Sequence, residues 1–427
     1  MGERGTMVRE EVGAGQGKFP ALSHTPFRWF WGAQIISLIG TWTQNVGQAW
    51  LVLQLTNSPF LLGLVSALQF LPMLLFSLHA GVWIDRLPKR RILLMTQTTL
   101  MILAFALTIL VAGGQLRYWM LLVMASILGI ANTVDVPARQ AFIIELVGRE
   151  HLTNAIALNS AIFNAARLVG PAVAGTIMGL WGATWCFLIN GLSFVGVILV
   201  LALLPSIPRG DKRLVSAERP VWPEIIEGLH YIRQTPVIFV TMLTVAVLST
   251  IAMNFNVLVP VMAKMDFHQE VQGYGFLMSA MGFGALIGAL TVVWFSGQGP
   301  QKVLLGAGTV GLGVFSILLG GQNTYGGAAL MLVLMGWSML VFAASANSLI
   351  QMTVDNRLRG RVMSVYSLVF GGMAPVGSLY AGTLSHVWLA RKTFAFSGLL
   401  VLVFLVALFL GRRRLGLVQA RLPRPTK

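Results

Sequence analysis

Charge is scarce in this sequence, and negative charge scarcer still. Lys, Arg, Asp and Glu make up 10% of the 427 residues, where an average soluble domain carries roughly 25%. That poverty excludes a soluble globule. It also excludes an intrinsically disordered chain, which needs low hydrophobicity and high charge. There is a single cysteine, Cys186, so no internal disulfide can form. The six histidines (His24, His79, His151, His230, His268, His386) are scattered, without metal-ligand spacing. No Walker loop G-x-x-x-x-G-K-[ST] occurs, so the chain carries no ATP engine of its own. With no catalytic constellation either, the sequence reads as a non-enzyme with no cofactor and no metal. The first 26 residues are polar and glycine-rich, without the apolar core of a cleaved signal peptide. The first apolar helix is expected to serve as its own insertion signal.

What is present is apolar surface, at 56% of residues. It falls in twelve runs, at 28–55, 59–84, 92–112, 118–138, 152–178 and 183–204, then 236–262, 271–296, 302–320, 326–352, 361–386 and 393–411. A bilayer-spanning helix needs about 20 mostly apolar residues. Lipid offers no partner to free backbone groups, so spans this long must be helices. Barrel strands would be half the length and would alternate polar with apolar residues. The predicted fold is an all-α membrane protein of twelve transmembrane helices in two six-helix halves.

The net charge of +16 suggests nucleic acid only for a soluble protein; here it sets orientation. With both termini on one side, that side collects all but five of the 30 basic residues, Arg117, Lys264, Arg391, Lys392 and the intraspan Arg167. Lys and Arg stay in the cytoplasm on insertion, so both termini are expected there. The organisation follows: a cytoplasmic tail over 1–26, a first bundle over 27–205, a linker over 206–235, a second bundle over 236–411 and a basic tail over 412–427. Pro205 and Pro208 break the apolar run at the linker. Within the linker Trp222, Ile225, Leu229 and Ile232 recur at steps of three and four, which predicts a short amphipathic helix on the cytoplasmic face, next to anionic lipid.

The halves echo each other. Ala131-Asn132 runs to Asp135 in segment 4, and Ala346-Asn347 runs to Asp355 in segment 10. Gly170-Pro171 and Gly175 in segment 5 match Pro375, Gly377 and Gly382 in segment 11. A parallel six-helix repeat is one plan of secondary transporters. Gly306-Ala307-Gly308-Thr309-Val310-Gly311 fits a dinucleotide fingerprint, but it lies inside an apolar span and no acid occurs between Glu270 and Asp355. Close helix packing explains it, as it explains Gly284 and Gly288.

Between segments 2 and 3 the sequence reads Gly81-Val82-Trp83-Ile84-Asp85-Arg86-Leu87-Pro88-Lys89-Arg90-Arg91. It resembles the signature loop of the major facilitator superfamily. Leu55-Thr56-Asn57-Ser58-Pro59, Pro137-Ala138-Arg139-Gln140, Arg167-Leu168-Val169-Gly170-Pro171 and Arg357-Leu358-Arg359-Gly360-Arg361 are similar to the transmembrane secretion effector branch, which includes enterobactin-exporter-like proteins. The resemblance covers most of 27–385. It implies that Gly81, Asp85, Arg86, Lys89, Arg90 and Arg91 latch the two halves when the cavity opens outward. It also implies that helices 1, 4, 7 and 10 line that cavity.

Gln34, Ser37, Thr41, Gln44, Asn45 and Gln48 share one face of segment 1. Unsatisfied amides are costly in lipid, so this face should turn towards a wet cavity. Asn254 and Asn256 in segment 7 and Asn347 and Gln351 in segment 10 are further candidates. Hydrogen bonding between helices, worth ~0.6–2 kcal/mol per bond, is the competing role for each. Arg167 lies well inside segment 5, where an arginine costs ~2.5–3.5 kcal/mol on insertion scales. It should face the interior and meet a partner or an anionic substrate. Asp135 is a proton-coupling candidate, because a partly dry carboxylate exchanges protons near neutral pH. A structural pairing of Asp135 with the signature-loop arginines is the favoured alternative.

The sequence thus points to a transporter of the cytoplasmic membrane that exports a small amphiphilic molecule, siderophore or drug-like, against protons. It is expected to act as a monomer, with no nucleic-acid partner. Gly170, Pro171 and Gly175 resemble part of the motif associated with antiporters, which favours export. Uptake by symport or facilitated passage through the same fold, or a non-transporting scaffold or receptor docking through Arg412-Arg413-Arg414 and the amphipathic helix of 220–235, are the alternatives.

Overall fold

Long apolar runs close their hydrogen bonds on themselves, and helices follow. A computed structural model describes residues 19–204, 221–295 and 302–411, apart from the side chains of 78–86 and 221–225. Residues 1–18, 205–220 and 412–427, which hold most of the predicted tails and linker, lie outside the described residues. The first half comprises α1 (Thr25–Thr56), α2 (Pro59–Arg86), α3 (Lys89–Ala112), α4 (Tyr118–Val147), α5 (Leu152–Trp181) and α6 (Ala183–Leu203). A connecting helix, α7 (Val221–Gln234), leads to α8 (Pro236–Ile251) and α9 (Phe255–Val261), which ends in a π turn over Met262–Asp266. Then come α10 (Val271–Phe295), α11 (Lys302–Gly320), α12 (Tyr325–Thr353), α13 (Arg359–Gly372), α14 (Ala374–Val387) and α15 (Ala390–Gly411).

Eleven helical stretches among the described residues are long and apolar enough to cross a membrane. The longest helix, α1 with 32 residues, is not among them. Gln34, Gln44, Asn45, Gln48 and Gln54 dilute its hydropathy, so the feature that lowers its apolarity is the one that carries its chemistry.

Two predicted single spans are broken. In the stretch 236–266 the break falls at Ala252–Asn254. Asn254 Nδ2 donates to the Thr250 carbonyl (2.7 Å), so a side chain satisfies a carbonyl released by the helix end. In 359–387 the break falls at Met373, two residues before Pro375, which has no N–H to continue the ladder. These broken stretches pack on each other through α8, α9 and α14, and Gly377 sits against the Asn254 side chain.

The halves repeat one packing scheme. In the first, α1 packs on α5 and α6, α2 on α4, and α3 on α4 and α6. In the second, the α8–α9 stretch packs on α14 and α15, α10 on α12, and α11 on α12 and α15. The halves meet along two equivalent seams, α5 with α10 and α14 with α2. Each seam closes through a glycine pair. A Cβ on Gly275 would stand 2.5 Å from the Pro171 carbonyl and 3.0 Å from Gly175 Cα; one on Gly63 would stand 2.5 Å from the Ser378 carbonyl and 3.0 Å from Gly382 Cα. Only hydrogen fits at either point, which is how backbones approach closely where lipid provides no hydrophobic drive.

Phe27, Phe30, Ile92, Phe142, Leu146 and Leu201 form a buried cluster at the end of the first half where α1 begins, here the terminal end. Large apolar side chains such as Met95, Ile109, Leu203 and Leu410 are exposed on the outer surface, as a lipid-facing belt requires. The Gly306–Gly311 stretch lies within α11, where Gly308 and Gly311 pack against Ser338 of α12.

Candidate functional site

A cavity of ≈ 60 Å³ lies between the halves. Asn45, Gln48 and Trp42 of α1, Gln69 of α2, Asn256 of α9 and Tyr274 of α10 supply its polar and aromatic walls. The structure therefore brings Asn45, Gln48 and Asn256 together across the two halves. Gln69 and Tyr274 were not singled out from sequence, although Gln69 is the lone amide in an apolar run. Trp50 stacks on Tyr274 (centroids 6.0 Å, planes 14° apart), which fixes the phenol from the first half.

Other residues of the α1 stripe are engaged elsewhere. Gln44 Oε1 accepts from Asn190 Nδ2 of α6 at 2.7 Å, and Asn190 Oδ1 accepts from Ser193 Oγ at 3.2 Å, all buried. This is an interhelical tie inside the first half. Thr41 Oγ1 donates to the Ser37 carbonyl of its own helix (2.9 Å). Asn254 serves the helix break, and Gln351 donates to Asn347 one turn back in α12. Replacing Asn190 by leucine should lower stability by about 1–3 kcal/mol, because Gln44 is left buried without its donor. Adding Gln44→Leu should recover most of that loss, as thermal unfolding of the purified variants would register.

At the terminal end, Asp135 is 1% exposed and sits in a closed network. Thr96 Oγ1 (2.6 Å) and Gln97 Nε2 (2.8 Å) of α3 donate to Oδ1, while Arg139 donates to Oδ2. The other arm of Arg139 donates to Gln34 Oε1 of α1. The partner is thus Arg139, one turn along the same helix, rather than a described base of the signature loop. The i, i+4 spacing explains this, since it sets the two side chains one above the other. The loop bases are drawn elsewhere: Lys89 stands 4.0 Å from Glu145, Arg90 donates to the Ala202 carbonyl (2.7 Å), and Arg91 is exposed. The side chains of residues 81, 85 and 86, the first part of the predicted Gly81, Asp85 and Arg86 latch, lie outside the described ones.

Arg167 of α5 reaches towards α1 and α12. Its guanidinium stands 6.0 Å from the Trp42 ring, and Nη2 lies 3.3 Å from Met339 Sδ of α12. Nε is buried without a hydrogen-bond partner, and among the described residues no ion pair engages the side chain. Four residues on, Pro171 has no N–H to give the Arg167 carbonyl, which lies against Gly282 of α10. Gly170 gives room to Trp42, and Gly175 to Gly275. Gly170, Pro171 and Gly175 are therefore packing residues of the α1 and α10 contacts.

The opposite end is closed by Lys264 and Arg391, two of the few bases expected on that side, and by Asp266. Lys264 Nζ, in the π turn, donates across the halves to the Leu53 carbonyl (2.5 Å) and to Asn57 Oδ1 (3.2 Å). An ammonium here satisfies the C-terminal end of α1, where the helix dipole favours positive charge. Asp266 accepts from the Arg391 backbone (2.8 Å), with the guanidinium at 3.6 Å and stacked over Phe267.

The family model described as transmembrane secretion effector matches residues 16–421. The chain belongs to this family of the major facilitator superfamily. It is a multi-pass transporter of the cytoplasmic membrane and not an enzyme. Among this transporter's relatives, the staphyloferrin A transporter of Staphylococcus aureus is 25% identical over 91% of this chain and 97% of its own length. Macrolide efflux protein A of Streptococcus pyogenes is 24% identical, covering 88% and 93%. The multidrug efflux pump Tap of Mycolicibacterium fortuitum is 26% identical, covering 86% and 90%. Among solved structures, a bacterial homologue of the human lysosomal transporter Spinster, inward-facing and unoccupied, superposes with a TM-score of 0.74 at 14% identity, over 96% of this chain and 100% of that one. A nucleoside transporter gives 0.72 at 13% identity, over 90% and 98%. At such identities these two likenesses establish the fold.

Proposed function

We propose that the protein is an exporter of a small amphiphilic molecule, driven by protons flowing inward, that works by alternating access. In this reading α1 is a twelfth span, both termini are cytoplasmic, and the terminal end is the cytoplasmic one. The basic residues of the loops at that end support the orientation. The observation that carries the mechanism is the cavity between two like-packed halves, with the far end shut by Lys264 and the paired glycines. A pair of rigid bundles rocking about the α5–α10 and α14–α2 seams would open the two ends in turn. Export is supported by relatives named for macrolide efflux and multidrug efflux, and a small-molecule substrate also by the staphyloferrin A transporter.

Asn45, Gln48 and Asn256 would meet the substrate, with Gln34, Thr41, Gln44, Asn254, Asn347 and Gln351 holding the helices that present them. Asp135 carries the proton step: it is a carboxylate buried between α3 and α4, and Arg139 connects it to Gln34 on the cavity helix. The exposed bases at that end, such as Arg91 and Arg359, face anionic lipid, and the protein acts as a monomer.

The test is substrate-triggered proton movement in proteoliposomes holding the full chain under an imposed pH gradient. Siderophores and drug-like compounds are added one at a time. Dissipation of the gradient by one class, lost in Asp135→Asn with ligand binding retained, is the expected result. Flux of ligand down its own gradient without protons would overturn the coupling. Replacing Lys264 by methionine removes the tie across the far end, so thiol labelling of a cysteine placed at Asn256 should quicken several-fold from the extracellular side. An unchanged labelling rate would remove Lys264 from the closure.

A further inference from the structure

The central site is rich in amides and poor in acids. Asn45, Gln48, Gln69 and Asn256 line it, and the described carboxylates set within the helices are all committed elsewhere. Asp135 is held by Arg139, Thr96 and Gln97, Asp266 by Arg391, and Glu145 faces Lys89. Arg167, by contrast, meets no acid among the described residues. Its neighbours are a thioether and the ring of Trp42, itself a wall of the cavity. At 6.0 Å the ring stands at the outer limit of a cation–π contact. Neither neighbour neutralises a guanidinium, and a charge kept unpaired among helices is a functional feature by default.

We propose that the site takes an anionic, carboxylate-bearing amphiphile and that Arg167 binds its carboxylate. The inference rests on the transport reading above and specifies its substrate class. The planar guanidinium presents a fork that matches a carboxylate, and its buried Nε is one of the donors left for it. Trp42, Phe163 and Met339 supply apolar surface beside that fork, where the body of an amphiphile packs. The uncharged amides of the cavity serve its remaining polar groups. A lipophilic cation meets the reverse: a fixed positive charge and no described carboxylate to receive it.

Two dyes sharing a xanthene ring separate the cases, fluorescein as the carboxylate and rhodamine 6G as the cation. Each is titrated by fluorescence polarisation against the full chain in nanodiscs, with empty nanodiscs subtracted. The proposal expects fluorescein to bind at least about tenfold more tightly, since a charge-assisted bidentate contact of this kind is worth roughly tenfold to a hundredfold in affinity. Arg167→Met should remove that preference. Arg167→Lys should restore part of it, keeping the charge but not the fork. Met339→Glu supplies an internal carboxylate to the same guanidinium, so it should suppress fluorescein binding while the melting temperature holds or rises. Tighter binding of rhodamine 6G, or an Arg167→Met protein with its preference intact, overturns the proposal. So does an equal loss for both dyes, which marks a packing role. If neither dye binds while another compound moves protons in proteoliposomes, the anion proposal falls and the transport reading stands. If no compound moves protons or crosses the membrane, the transport reading falls and this one with it.

Discussion

Asp135→Ala is expected to destabilise the first half by about 3–5 kcal/mol and to abolish transport. Removing one partner of a buried ion pair leaves the other charge uncompensated, and that penalty dominates the loss. Here the stranded group is Arg139, whose side chain is only 18% exposed. Thr96 and Gln97 also lose their acceptor. The double replacement Asp135→Ala/Arg139→Leu removes both charges and should recover most of the stability, as thermal unfolding would record. Proton movement should stay absent in that double variant, because the carboxylate is gone. Full transport by the refolded double variant would reduce Asp135 to a structural role.

Gly63→Val is expected to pry open the end that Lys264 closes and to cut transport more than tenfold. Even a single Cβ would stand 2.5 Å from the Ser378 carbonyl, a backbone atom that cannot rotate away. Valine adds two further carbons in the same place, so α2 and α14 must separate. Spin labels at Phe60 and Val387, at the adjoining ends of these helices, would read the separation as a longer distance than in the unsubstituted protein. The equivalent change on the other seam, Gly275→Val, should act in the same direction, since Gly275 and Gly63 hold matching places in the repeat. An unchanged distance together with ordinary transport would mean that the glycines do not set the closure.

The long helices were legible in the sequence because a bilayer imposes length and apolarity together. The breaks were less so. Pro375 marks one openly, whereas the other fell at Asn254, whose amide could equally have faced a cavity. The stripe on α1 shows how far helical periodicity reaches. At 3.6 residues per turn, Gln44 and Asn45 point about 100° apart, and they are the two edges of the stripe. One edge meets Asn190 of α6 and the other meets the cavity. Periodicity placed all six residues on one face but could not divide that face between a neighbour helix and a void. Gln34 shares the cavity direction, yet it lies nearer the terminal end, where Arg139 reaches it. The pairing of Asp135 with Arg139 was readable from their spacing. The signature loop offered more bases nearby in sequence, although Lys89 and Arg90 had closer partners in Glu145 and Ala202. Lys264 gave no signal, since its partner is a backbone carbonyl 211 positions away.

The measurement that bears most directly on the account is a pair of distances taken on one preparation. Labels at Phe60 and Val387 report the end that Lys264 closes, and labels at Ile144 and Met352 report the terminal ends of α4 and α12. All four sites are exposed large apolar residues. Electron–electron resonance on the full chain in nanodiscs would follow both pairs between pH 8 and pH 5. Two halves rocking about a central site must lengthen one distance as they shorten the other, and that opposite movement is the predicted result. Distances that stay fixed, or that change together, would contradict it.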